Sequence, residues 1–62
     1  MDNHPDIARI REIIDRIDST AFLVAQLPPS RERSIARTEL DAASLWLGAE
    51  IKRLKALPEA KA

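Results

Sequence analysis

The sequence predicts an all-α chain: an antiparallel two-helix hairpin that assembles with copies of itself into a helical homo-oligomer. Three observations predict it. Apolar residues recur at helical spacing in two long segments, a pair of prolines divides those segments, and each segment carries more apolar surface than one partner helix covers.

In the first segment Ile7, Ile10, Ile14, Ile17, Ala21 and Val24 follow one another at alternating spacings of three and four residues. That is the rhythm of a heptad seam, with the small Ala21 as its weak point. Pro5 suits a first helical turn, where its missing N–H has no partner to lose, and Asn3 or His4 then caps the helix. Pro28 and Pro29 end the run, because the residue before a proline is driven out of the α region. Helix one is expected over about residues 5–27.

Ser30 follows as a natural N-cap, with Glu32 favourably placed against the helix dipole. Ala36, Leu40, Ala43, Leu47, Ile51 and Leu54 fall within about 80° of one another at 100° per residue. Lys52, Arg53 and Lys55 complement the dipole at the far end, and Pro58 stops the run. Helix two is expected over about residues 31–57, with a frayed tail from Glu59 to Ala62 and one hairpin domain across residues 1–62. A link this short makes the helices antiparallel neighbours.

The two seams pair without exhausting the apolar surface. Ile35, Ala42, Trp46 and Ala49 form a second stripe on helix two, about 130° from the first, and Phe22 and Leu23 point away from helix one's seam. Trp46, Ile35, Ala42, Ala49 and Phe22 are therefore expected at an oligomer interface. Size argues the same way. A chain of 62 residues buries only about 60% of its unfolded surface, and small chains need a staple. There is no cysteine, and the single histidine, His4, has no second ligand of its kind to share a metal. Oligomerisation is the staple that is left. Gly48, mid-helix on the flank shared by Arg37 and Ser44, is either a point of close approach or a tolerated weak spot.

Ten basic and ten acidic residues cancel, so no global field favours duplex nucleic acid or a membrane surface. The longest apolar run, Ala21 to Ala25, is far short of a membrane span. No basic segment leads into an apolar one after Met1, so no signal peptide is expected. Phe22 and Trp46 are the only aromatics, too few for a base-stacking platform. Catalysis is not expected. Ser19, Thr20, Ser30, Ser34, Thr38 and Ser44 have only His4 as a conceivable base, and the carboxylate pairs Asp15/Asp18 and Glu39/Asp41 read as the solvated face of a helix. One glycine cannot build a phosphate loop, and no cofactor or metal is implied.

An anion site is more plausible. Residues 28–62 hold seven bases against five acids, while residues 1–27 hold five acids against three arginines. Arg31, Arg33 and Arg37 cluster where helix two begins, beside free N–H groups and a partial positive charge. Arginine forks match phosphate oxygens in pairs, and Ser30 and Thr38 add hydroxyls. The alternative is that the arginines pair with acids: Asp15 and Asp18 across the hairpin, or Asp41 four residues beyond Arg37. The residues alone leave both open.

The stretch Arg33-Ser-Ile-Ala-Arg-Thr-Glu-Leu-Asp-Ala-Ala-Ser-Leu-Trp-Leu-Gly, ending at Gly48, resembles the helix-two signature of small phage hairpin proteins. These are the anti-CBASS cyclic-nucleotide sponges, whose hairpin domain also occurs in Thoeris anti-defence proteins. The likeness covers about residues 27–51 and centres on an Ala-Arg-Thr core followed by an acidic and an aliphatic residue. It implies compact oligomers, typically hexamers, in the cytoplasm of the infected bacterial host. These hold cyclic di- and trinucleotides without cleaving them and so starve the effector of CBASS immunity. It further implies Arg37 and Thr38 as phosphate or base contacts, with Arg33 a candidate by position. The sequence departs from the pattern where relatives place a tyrosine near the N-terminus and a lysine in helix one. This chain has no tyrosine, and helix one carries only Arg9, Arg11 and Arg16. That puts one class of ligand in doubt. A helical interaction module without a nucleotide ligand is the other reading.

Overall fold

The computed structural model describes residues 4–57, which form two α-helices and, among those residues, no strand. Helix α1 spans Pro5–Ala25 and helix α2 spans Arg31–Lys55. The residue at the head of α1 is His4. Its Nδ1 accepts the Asp6 N–H at 3.1 Å. A backbone N–H can only donate, so this imidazole nitrogen carries a lone pair. Ser30 heads α2, its Oγ accepting the Arg33 N–H at 2.9 Å. Asn3, Pro58 and the tail from Glu59 to Ala62 lie outside the described residues.

Both helices stop two residues earlier than their sequence pattern suggests. The Leu27 N–H donates to the Val24 carbonyl at 3.1 Å and the Leu57 N–H to the Leu54 carbonyl at 3.2 Å. Those three-residue bonds tighten each last turn out of the α-helix. Leu27 and Leu57 each precede a proline in the sequence, a position where α geometry is disfavoured. The helix ends are therefore Ala25 and Lys55, not residues 27 and 57.

The chain is an elongated hairpin, 50 × 15 × 12 Å, only one layer deep. Two helices side by side cannot enclose a core, and among the described residues only Ile7, Ala21, Ile51 and Leu54 are buried. Ile7, the deepest at 2% exposure, packs with Ile51 and Leu54 at the open end, where Ile10 and Ile14 lean on the same cluster. The two heptad seams meet as their spacing requires, with one exception. Ala36, expected in the seam of α2, is exposed. The exposed apolar residues include Trp46, Leu45, Phe22, Leu23 and Ile35. No helix of the described residues is long and apolar enough to cross a membrane.

Candidate functional site

The start of α2 brings three of the sequence-identified residues near one another in the chain but sends them in three directions. Arg33 turns inward. Its Nη1 donates to the Ala25 carbonyl at 2.7 Å, across the turn from α2 to the last residue of α1. Helix α1 has no basic residue in its own last turn, so this guanidinium supplies the positive charge that a helix C-terminus favours. The Nε atom of Arg33 is buried without a partner. The same residue's main-chain N–H is bound by Ser30, so Arg33 ties together both helix ends that face the turn.

Arg37 lies on the surface and pairs with Asp41, Nε to Oδ1, at 3.6 Å. At that separation and exposure the pair holds the fork loosely, since solvated pairs one turn apart are worth about 0.3–0.5 kcal/mol. Thr38 points about 100° further round the helix. It lines a shallow, open depression with Arg31, Ser34, Ile35 and Glu39, all from α2. Arg37 takes no part in that depression. One hairpin therefore does not unite Arg37 and Thr38 around a common ligand.

The interface candidates are arranged differently. Trp46 is 75% exposed, and Phe22, Ile35 and Ala49 also face solvent, while Ala42 is half-buried. On the Arg37 side, Ser44 Oγ–H donates to Asp18 Oδ1 at 2.8 Å, a bond from side chain to side chain across the hairpin. Asp18 thus meets a hydroxyl across the hairpin and not an arginine. An added Cβ at Gly48, close by on the same flank, meets nothing within 4 Å. Among the described residues no group of histidine, cysteine or carboxylate side chains has the geometry to hold a metal.

Sequence reasoning placed Arg33 with the ligand contacts and missed its role in the turn. A signal was present. On the helical wheel Arg33 stands within about 40° of the centre of the seam that faces α1. The Asp18–Ser44 bond had no such signal, because polar residues beside a seam fit many partners equally well.

Residues 2–57 match the family model described as Acb2/Tad1, hairpin domain. The match extends the likeness carried by Arg33 to Gly48 over nearly the whole chain. No curated protein and no solved structure matches.

Proposed function

The chain belongs to the Acb2/Tad1 hairpin family of anti-CBASS and anti-Thoeris sponges, and on that premise we propose that it binds cyclic oligonucleotide second messengers and holds them intact. In this reading it is a phage anti-defence protein acting in the cytoplasm of the infected host. It assembles as a homo-oligomer, a hexamer by analogy with the family, and sequesters cyclic di- or trinucleotides away from the CBASS effector. The observation that carries the reading is the family match across residues 2–57. The exposed Trp46 and Ile35 support the assembly, and the loosely held Arg37 supports the anion site. The family is one of binding proteins and not of enzymes, in keeping with the missing catalytic groups.

Arg37 and Thr38 are the proposed contacts. Since they diverge on one hairpin, the pocket in this reading is completed by a neighbouring copy. Calorimetric titration with a panel of cyclic di- and trinucleotides tests it, and heating the complex returns the ligand chemically unchanged. Hydrogen bonds to charged groups contribute about 1.5–3 kcal/mol, so Arg37→Ala lowers affinity about tenfold to a hundredfold without dissolving the oligomer. A second reading, an oligomerisation module with no nucleotide ligand, is favoured by the pairing of Arg37 with Asp41 and of Arg33 with Ala25. Titrations in which no cyclic nucleotide binds would establish it instead.

A further inference from the structure

We propose that the outer face of α2 is a two-fold interface, on which α2 of a second copy of this chain packs antiparallel, centred on Leu45 and Trp46. The proposal rests on the self-assembly inferred above and specifies how two copies meet.

The first observation is a second seam. Ile35, Ala42, Ala49 and Ala56 stand seven residues apart, with Thr38 and Leu45 between them. This series is centred about 170° around α2 from the seam that packs on α1. It faces solvent: Leu45 is 76% and Trp46 75% exposed. Alanine at every seventh position lets a second helix approach closely, while Leu45 and Ile35 supply apolar volume.

The second observation is area. The chain exposes 5034 Å², whereas a folded monomer of 7.0 kDa exposes about 4,000 Å² by the usual scaling with mass. The difference reflects a hairpin one layer deep, whose outer faces no second layer covers.

The third observation, charge, selects the occupant and its direction. With a two-fold beside Leu45 and Trp46, residues of equal distance on either side of that point stand level. Ala42 then meets the partner's Ala49, and Ile35 meets the partner's Ala56. Glu39 stands one residue from level with the partner's Arg53 along one edge of the seam, and Asp41 two residues from level with the partner's Lys52 along the other, offsets of about 1.5 and 3 Å that long side chains span. A two-fold of this kind keeps each edge against its own counterpart, so every such contact occurs twice. Arg53 uses Nε and Nη2 on Glu50, which leaves Nη1 for the partner's Glu39. Among the described residues neither Glu39 nor Lys52 has an ion-pair partner within the hairpin. A parallel pairing does the opposite. It sets the acids Glu39 and Asp41 level with the same acids, and Lys52 and Arg53 level with the same bases.

The absence of native cysteine makes disulfide trapping in the full chain a direct test. Two variants, Ala42→Cys and Ala49→Cys, are unfolded together in urea, refolded as a mixture and oxidised mildly. A disulfide forms only where Cα atoms approach within about 7 Å. The expected result is a mixed disulfide dimer from the mixture and little from either variant alone. Efficient dimers from each variant alone mean parallel packing and overturn the proposal. Absence of any disulfide, with assembly intact by sedimentation and cyclic nucleotide binding retained, also overturns it while leaving the sponge reading standing. A stable monomer overturns the proposal and the assembly beneath it.

Discussion

Replacing Arg33 by methionine separates a strut of the turn from a ligand contact. The substitution keeps most of the apolar stem and removes the Nη1 bond to the Ala25 carbonyl. A hydrogen bond from a charged group contributes about 1.5–3 kcal/mol, and a cation at a helix C-terminus accounts for about 0.3–1 kcal/mol of such stabilisation. Against this stands the buried, unpartnered Nε, whose desolvation costs about 1–3 kcal/mol in the parent and vanishes in the variant. The difference leaves Arg33→Met less stable by about 1 kcal/mol. Arg33→Ala also loses the packing of the stem, and its deficit is about 2 kcal/mol. Urea unfolding followed by helical circular dichroism measures both, with all proteins at one concentration because assembly couples to apparent stability. Titration of the same variants at temperatures where they are folded completes the experiment, and Arg33→Met binds cyclic nucleotide within a few-fold of the parent. Unchanged stability together with a tenfold or greater loss of affinity would refute the argument, because the guanidinium would then serve the ligand and not the turn.

Trp46→Ala weakens assembly by roughly 3 kcal/mol when the ring is fully buried between copies, read as a rise in the concentration at which sedimentation shows half-assembly. An unchanged midpoint removes Trp46 from the interface. Gly48→Ala raises the stability of the hairpin by about 1 kcal/mol, since the added methyl meets nothing within 4 Å; loss of assembly instead reveals a neighbour's backbone at that flank. The Glu50 carboxyl, hydrogen-bonded by Arg53, is held below its ordinary value of 4.5. Its contribution is present in full above that value and is lost as pH falls through the lowered one. Glu50→Gln accordingly matches the parent in acid and falls short of it at neutral pH, as urea midpoints across pH will report.

What the sequence disclosed follows from which forces are periodic. The isoleucines of α1 and the Leu40–Leu54 series of α2 repeat with the helix, so their facing seams could be read before any coordinate. Helix ends were less legible, because the closing bonds at Leu27 and Leu57 reach back three residues and apolar periodicity does not register them. The arginine cluster was legible in the sequence, and its arrangement was not. A cluster of arginines at a helix start was plain, but Arg33 and Arg37 stand about 40° apart on the wheel, and that small difference sends one into the turn and the other into solvent. Ala36 shows the same limit. A seam position is a direction only and does not by itself bury a residue.

The divergence of Arg37 and Thr38 bears on how the proposed sponge would operate. A layer 12 Å deep has no interior for a nucleotide, and the depression beside Thr38 is open and lined from α2 alone. Under the proposed antiparallel pairing, Thr38 stands level with the partner's Arg53 and close to the partner's Lys52. Hydroxyls and a helix start from one chain then meet cations from another, which no single hairpin provides. Ligand and assembly are in that case linked reciprocally: whatever binds only the assembled form must also tighten assembly, by RT ln(1 + [L]/Kd) for each site. At a ligand concentration one hundred times Kd this amounts to about 2.7 kcal/mol. Such a shift moves the half-assembly concentration about a hundredfold, within the range of sedimentation. A cyclic nucleotide that binds yet leaves that midpoint where it was would have to occupy a site within one hairpin, and the proposed division of the pocket between chains would be wrong.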